Sequence, residues 1–229
     1  MRLDKYVSQC SSLSRREVGY ALREKRISVN DDIARSASIK IGDDDRVSLD
    51  GQPLAPAGPR YWMLHKPAEY VCARTDASQP CVTDLLPPEA VADLQLVGRL
   101  DKDTTGLLLI TDDGQWNHRI TSPRRQCPKV YRVTTADPIA ADTAARFAEG
   151  VVLRDDPAPT LPATLEVIDS HSARLTLHEG RYHQVKRMFA ALGNRVVALH
   201  RESVAGIELD PDLASGDYRA LTPEEITRV

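Results

Sequence analysis

The sequence contains no long apolar run. None of its 229 residues lies in a stretch close to the roughly 20 apolar residues that cross a bilayer, and the longest candidate, 107–111, has only the length of a strand. The amino-terminal segment MRLDKYVSQC carries charge and lacks the apolar centre of a secretory signal. We therefore expect a cytoplasmic protein with no membrane association.

Cysteine is scarce and follows no recognised spacing. The four residues Cys10, Cys72, Cys81 and Cys127 fit neither a zinc site nor a CxxC redox motif. They are interpreted as free thiols of a reducing compartment, although a catalytic thiol stays possible. The sequence also lacks a cluster of metal-ligand residues and a dinucleotide-binding motif. We therefore expect neither a metal nor a cofactor.

The chain has no excess of positive charge, since 30 Lys and Arg face 33 Asp and Glu for a net charge of −3. The basic residues nevertheless gather in three segments, 2–26, 119–132 and 181–201, while acids collect elsewhere, as at 43–45. Segments of this kind can follow the phosphates of a nucleic acid. An ordinary solvated surface is the alternative interpretation.

A change of composition divides the chain. Three prolines and two glycines interrupt residues 51–60, which predicts a first domain at 1–52, a linker at 53–60 and a second domain at 61–229. In the first domain, Ser14 and Glu17 form the capping box of a short amphipathic helix. Alternating residues predict strands at 26–30, 39–41 and 46–49.

The second domain mixes strands and helices. Strands are predicted at 61–65, 107–111, 130–134, 163–168, 173–178 and 196–200. One helix is expected to open at Asp137–Pro138 and to end at Gly150. Another follows Arg181, with Val185, Met188, Phe189 and Leu192 on one apolar face and with His183, Lys186 and Arg187 opposite.

The segment 98–111, GRLDKDTTGLLLIT, is the most unusual one. A polar loop between two glycines leads directly into an apolar strand, and loops at strand ends often carry catalytic residues. Asp101 and Asp103 are candidates for acid–base or nucleophilic chemistry. A tight turn, in which these side chains bind their own backbone, is the alternative. Phosphoryl transfer is a further alternative, because aspartyl-phosphate loops contain Asp-Lys-Thr-Gly-Thr. Asp103 and Thr104 break that spacing, so this alternative is not favoured.

Segment 98–111 closely resembles the catalytic motif of pseudouridine synthases of the RsuA branch. Residues 61–67, 129–131 and 179–189 resemble three further motifs of that branch, in the same order. The first domain resembles an S4 RNA-binding domain from Arg2–Lys5 through Ser14–Glu17 to Val29–Asn30. The resemblance therefore covers nearly the whole chain.

The resemblance implies an α+β protein in which a small S4-like domain precedes a pseudouridine synthase domain with a mixed, mostly antiparallel sheet flanked by helices. It implies an isomerase that converts uridine to pseudouridine in 16S rRNA, at uridine 516, without a cofactor. The partner would be small-subunit rRNA, free or in a ribonucleoprotein assembly intermediate, and the protein a monomer. A sister enzyme for large-subunit rRNA and a non-catalytic RNA-binding assembly protein are the alternatives.

The resemblance also implies roles for individual residues. Asp101 would act as a nucleophile or as the base that starts glycal formation, Lys186 would keep it ionised, and Tyr131 would pack on the target base. Arg99 would take the space of the displaced base. The full set of implied RNA-binding residues is Arg2, Lys5, Arg15, Arg16, Arg26, Arg99, Lys129, Arg181, His183 and Arg187. His65 and Lys66 are expected to shape the fold rather than to react.

Three positions depart from the family pattern. The family often has Gly at the fourth position of its KPxG segment, where this chain has Glu69. S4 domains often have Gly where this chain has Lys25 and Asp31. These departures are expected to affect loop shape and RNA contacts, not the chemistry.

Overall fold

A computed structural model describes residues 1–42, 44–54, 58–87, 91 and 94–229. The chain divides into two compact units, Met1–Pro59 and Arg60–Val229. Residues 55–57 of the expected linker and Asp43 of the acidic 43–45 run lie outside the described residues. No helix in the described ranges combines the length and apolar character needed to cross a membrane.

The first unit combines two helices with a small sheet. Its elements are α1 (Leu3–Cys10), α2 (Arg15–Arg23), β1 (Ile27–Val29), β2 (Asp32–Ile33), β3 (Val47–Leu49) and β4 (Gln52–Leu54). The strands pair in the order β2-β1-β3-β4, and every pair is antiparallel. Leu3 and Val7 of α1 are fully buried with Val18 of α2 and Ile27 of β1, so one apolar cluster joins the helices to the sheet.

The start of α2 confirms the predicted capping box. The Ser14 hydroxyl accepts a hydrogen bond from the Glu17 backbone N–H at 3.3 Å, and the Glu17 carboxylate accepts one from the Ser14 N–H at 2.7 Å. These bonds satisfy two of the N–H groups that a helix start leaves without partners.

Two predictions for the first unit were wrong. Residues 39–41 form no strand, because their backbone pairs with the chain start: Leu3 N–H donates to Ile39 at 2.8 Å, and Ile41 N–H donates to Met1 at 2.6 Å. This contact makes only an isolated bridge between Arg2 and Lys40. Pro53 and Leu54, expected in the linker, belong to β4.

The second unit is built on a larger sheet. Its strands are β5 (Tyr61–Lys66), β6 (Gln95–Val97), β7 (Thr105–Thr111), β8 (Lys129–Thr135), β9 (Thr164–Val167), β10 (Ser172–Leu177), β11 (Val196–Val204), β12 (Ile207–Glu208) and β13 (Tyr218–Ala220). Its helices are α3 (Gly114–Thr121), α4 (Thr143–Glu149), α5 (Gln184–Ala191) and α6 (Pro223–Thr227).

The sheet runs in the order β13-β5-β7-β11-β8-β10-β9, with β6 beside β7 and β12 beside β11. Among the described strands, β7 and β11 pair in parallel and the other pairs are antiparallel. The mixed, mostly antiparallel sheet predicted for this unit is thereby confirmed.

Strand β7 is apolar over residues 107–110 because both of its faces are covered there. Leu108 and Ile110 belong to one buried cluster, which also contains Phe147 of α4 and Phe189 of α5. Leu107 and Leu109 belong to a second cluster, with Trp116 of α3. A strand buried on both faces loses the alternation of polar and apolar residues, so β7 lies at the centre of the unit. The loop before it, which carries Asp101, is partly exposed.

The start of α4 differs from its prediction. Asp142 is the residue before the helix, and Asp137 lies outside it. The Asn194 side chain instead holds Asp137, donating to its carbonyl at 2.9 Å and accepting from its N–H at 3.2 Å. Gly150 ends α4 with φ +90°, as predicted.

Gly106 is required where β7 pairs with β11. Its φ is +105°, and a Cβ built there would lie 2.3 Å from the Arg201 carbonyl oxygen and 2.6 Å from its nitrogen. Any side chain would therefore force the two strands apart. This glycine fixes the strand that begins directly after the candidate catalytic loop.

Candidate active site

The loop between β6 and β7 carries Asp101, and α5 supplies its charged partner. Lys186 Nζ lies 3.0 Å from Asp101 Oδ2, and His183 Nε2 lies 3.4 Å from Oδ1. The side chains of Lys186 and Asp101 are only 26% and 25% exposed. A charge-assisted contact of this length attracts the carboxylate and fixes its orientation.

The helical spacing predicted that His183 lies on the polar face of α5, and this prediction was wrong. His183 is the residue before the helix, and its backbone is left-handed, with φ +46°. Val185, Met188 and Phe189 are buried as predicted, and Leu192 packs partly buried against the same cluster. The turn before α5, rather than its helical repeat, brings His183 to Asp101.

Asp103 is a second partner of Lys186. Lys186 Nζ lies 2.6 Å from Asp103 Oδ1. Burial lowers the pKa of Lys186, but hydrogen bonds to Asp103 and Asp101 outweigh it and raise the pKa above its ordinary value. Hydrogen bonding to Lys186 lowers the pKa of Asp103. The ammonium is therefore charged at neutral pH and bridges two carboxylates of one loop.

The two aspartates differ in exposure. The Asp101 side chain is 25% exposed and lines a cavity, whereas that of Asp103 is 65% exposed and is not among the described residues of its wall. Exposure thus distinguishes the two aspartates and agrees with the choice of Asp101 that the family resemblance implied.

Lys66 holds the catalytic loop from behind. Its side chain is fully buried, and Nζ donates to the carbonyls of Pro67, Lys102 and Thr104 at 2.9, 3.0 and 2.8 Å. Burial lowers the pKa of this ammonium. The Glu69 N–H also donates to the Lys102 carbonyl, at 2.9 Å. The prediction that Lys66 shapes the fold is confirmed.

The three departures from family glycines share one conformation. Glu69 has φ +70°, Lys25 has φ +57° and Asp31 has φ +72°. All three lie in the left-handed region that glycine adopts without strain. The chain thus keeps the backbone conformation at each position while a side chain replaces the glycine.

A cavity of about 580 Å³ opens beside Asp101, within the range of about 300–1,000 Å³ typical of small-ligand sites. Tyr131 of β8 lines it and is only 9% exposed. The other predicted site residues in its wall are Arg99, Lys129, Arg181, His183 and Lys186. The structure therefore brings together one carboxylate, one aromatic ring and several cations.

The cavity contains a buried cation that the sequence analysis missed. Arg201 of β11 is 2% exposed, and its Nε donates to the Leu107 carbonyl at 2.8 Å. Its Nη2 has no hydrogen-bond partner among the described residues. Burial, followed by the charge of Arg201, lowers the pKa of Lys129. An arginine inside an otherwise strand-like run was the available sequence signal.

Two residues implied to bind RNA make contacts within the protein. Arg181 donates to Asp156 and Glu179 at 3.0 Å each and also to two backbone carbonyls. Arg187 donates to the carbonyls of Tyr182 and Arg154 and is not among the described lining residues. Their observed contacts are those of residues that hold the turn before α5.

The implied RNA-binding residues of the first unit lie mostly on its surface. Arg2 pairs with Asp4, and Arg26 pairs with Asp50 and Glu24. Arg15 and Arg16 are exposed at the start of α2, and Lys5 is half-buried.

Comparison with known proteins identifies the class. Residues 60–191 match the family described as RNA pseudouridylate synthase. The chain belongs to this family and is an isomerase with the pseudouridine synthase fold. A solved structure described as a pseudouridylate synthase is 44% identical, with a TM-score of 0.73, over 100% of this chain and 99% of the other.

Named relatives are similar over the full length. The proteins called ribosomal small subunit pseudouridine synthase A from Salmonella typhimurium and Escherichia coli K12 are each 54% identical, with 100% of both chains covered. The protein of that name from Vibrio cholerae is 48% identical and covers 100% of this chain and 99% of its own.

Proposed function

We propose that this enzyme converts uridine to pseudouridine in the 16S rRNA of the small ribosomal subunit, at uridine 516. The Asp101 carboxylate, held 3.0 Å from Lys186 in the cavity wall, is the observation that carries the proposed chemistry. Full-length similarity to enzymes named for the small subunit supports the substrate. The position of the uridine follows from the sequence resemblance.

The proposed reaction rearranges one nucleotide. The bond from ribose C1′ to uracil N1 breaks, the base rotates, and a new bond joins C1′ to C5. C5 then loses its proton, and N1 carries one in the product, so no atom or electron is gained from outside. Asp101 starts the reaction either as a nucleophile at C1′ or as a base that removes the C2′ proton.

The neighbouring side chains position Asp101 and the target uridine. Lys186 pairs with the Asp101 carboxylate at 3.0 Å and orients it in the partly closed cavity. Tyr131 packs on the uracil ring. Chemistry on a paired base requires its extrusion at a cost of a few kcal/mol, and Arg99 helps to offset that cost by taking the vacated space.

We further propose that the first unit is an S4-like RNA-binding domain. Its exposed cations, with Arg15 and Arg16 at the start of α2, would contact phosphates and fix the register of the RNA. Within the second unit, Lys129, His183 and Lys186 would attract the RNA backbone at the catalytic cavity. The enzyme would act as a cytoplasmic monomer on free rRNA or on an assembly intermediate.

The chemistry is tested by tritium release from 16S transcripts labelled at uridine C5. Asp101→Asn should lower release by at least about 10³-fold, because the reaction loses its nucleophile or base. Asp103→Asn is the matched control, because it removes the other carboxylate on Lys186 and should keep activity within about tenfold. Loss of activity in the control alone would move the assignment from Asp101 to Asp103.

The substrate is tested by offering the wild type 16S transcripts, large-subunit transcripts and small-subunit assembly particles. Release from 16S RNA or its particles supports the proposal, and mapping the product checks uridine 516. Release from large-subunit RNA alone identifies a sister specificity. Binding without release from any of them identifies a non-catalytic RNA-binding protein.

A further inference from the structure

Tyr182 is an exposed aromatic residue at the active site. Its side chain is 77% exposed, the largest fraction among the large apolar and aromatic side chains in the described ranges. It also contributes to the wall of the cavity that contains Asp101. Because exposed aromatic surface is unfavourable in water, a ring presented in this way at a site is typical of a binding surface.

The Tyr182 ring is stacked on the side chain that contacts the catalytic carboxylate. Its centroid lies 3.8 Å from that of the His183 ring, with an angle of 21° between the planes. His183 Nε2 lies 3.4 Å from Asp101 Oδ1. One face of the tyrosine ring is therefore covered, and its high exposure leaves the other face to solvent.

Hydrogen bonds hold the backbone around Tyr182. Arg187 donates to the Tyr182 carbonyl at 3.2 Å and to the Arg154 carbonyl at 2.5 Å. Arg181, on the other side, is bound to Asp156 and Glu179. Because this backbone is held and the ring is stacked on His183, the ring loses less conformational entropy than a free side chain when a ligand stacks on it.

We propose that Tyr182 forms a stacking subsite for the unpaired RNA base next to the target uridine. The inference rests on the proposed function, because it assumes that the uridine occupies the cavity. Extrusion of the uridine also unstacks the base next to it. Arg99 occupies the space that the uridine leaves, and the open face of Tyr182 gives the neighbouring base a new stacking partner. Lys129, Lys186 and Arg99 in the same wall supply the cations that attract the RNA backbone.

The effect expected from stacking is large enough to measure. Loss of one base–aromatic stack costs about 1–3 kcal/mol, which is about 5- to 150-fold in Kd. Stacking needs only a flat ring, so phenylalanine should replace tyrosine. The subsite would then accept any neighbouring base that unstacks easily, because stacking does not read the hydrogen-bonding groups on the edge of the base.

The test uses full-length enzyme and a 16S-derived RNA hairpin with 2-aminopurine next to the target uridine. Wild type should quench the 2-aminopurine fluorescence. Tyr182→Ala should lose most of this quenching and weaken Kd and KM by about 5- to 150-fold, with kcat at saturating RNA nearly unchanged. Tyr182→Phe should keep both Kd and quenching within about twofold.

Tyr218→Ala is the matched control. Tyr218 is also partly exposed and stacked, on Trp62 with centroids 5.2 Å apart, but it is not among the described lining residues. Its replacement should leave Kd and quenching unchanged.

Unchanged Kd and quenching in Tyr182→Ala, with an active wild type, would overturn the stacking subsite. A fall of kcat at unchanged Kd would also overturn it and would assign Tyr182 to positioning His183. Failure of the proposed function is distinct, since it appears as absence of tritium release by the wild type itself.

Discussion

The two units use their cations differently. In the first unit, Arg26 is 40% exposed and pairs with carboxylates at the surface. In the second unit, Lys66 and Arg201 are almost completely buried and donate to backbone carbonyls, while Lys186 joins two aspartates beside a cavity. Surface pairs contribute little to stability, whereas buried cations must be satisfied by nearby groups. The cations around the proposed active site are therefore distinguished by their burial rather than by their number.

Gly106→Ala should have the largest effect on the second unit. A Cβ at 2.3 Å from the Arg201 carbonyl, on a backbone with φ +105°, should lower the free energy of unfolding by about 3 kcal/mol or more. Urea denaturation measures the change. Gly19→Ala in α2 of the first unit is the control, because its Cβ would meet nothing within 4 Å. It should stabilise the protein by about 0.5–1 kcal/mol. Equal effects of the two substitutions would contradict the close approach at Gly106.

Lys66→Met should destabilise the protein by about 2–3 kcal/mol, because it removes a donor from three buried or partly buried carbonyls, of which that of Lys102 keeps another donor, the Glu69 N–H. Tritium release should fall with it, since the loop that carries Asp101 loses its anchor. Lys102→Met, in the same loop but 44% exposed and paired with Glu69, should change stability by less than about 1 kcal/mol. A stable and fully active Lys66→Met protein would show that the loop holds its own shape.

Lys25→Gly tests the strain in the first unit. Removal of the side chain from a residue with φ +57° should stabilise the protein by up to about 1 kcal/mol. Lys25→Ala removes the charge but keeps Cβ, so it should not stabilise. Thermal and urea unfolding of both variants separate backbone strain from charge. Equal stabilisation by both would assign the effect to the charge.

Arg16→Gln and Arg26→Gln compare two surface cations of the first unit, and their effect should be on RNA affinity alone. A lost phosphate contact reduces the salt slope of log K by about 0.7–0.9. Arg16→Gln should show this change. Arg26→Gln should show less of it, because Asp50 and Glu24 already neutralise its guanidinium. The slope of log Kd against log salt concentration is the measurement. Identical slopes in both variants and the wild type would exclude the surface that carries Arg16 and Arg26 from the RNA interface.

Local patterns predicted much of the fold. The capping box of Ser14 and Glu17, six strands of the second unit and the buried face of α5 depend on spacing and short-range hydrogen bonds, which the sequence displays directly. Strands β6, β12 and β13 were not predicted, because two or three residues are too few to show a pattern. Residues 39–41 and Asp137 were misassigned because their partners, Met1, Leu3 and Asn194, are not visible in the local sequence.

Residue order and spacing carried the resemblance to the family, most of the helices and strands in the two parts, and Asp101 as a candidate. Tyr131 and Lys186 followed from the resemblance. The tertiary structure added the difference in exposure between Asp101 and Asp103, placed Lys66 behind the loop, buried Arg201 and exposed Tyr182 beside His183. Those properties depend on distances between distant segments and on access of water, which set the strength of every charge in the site.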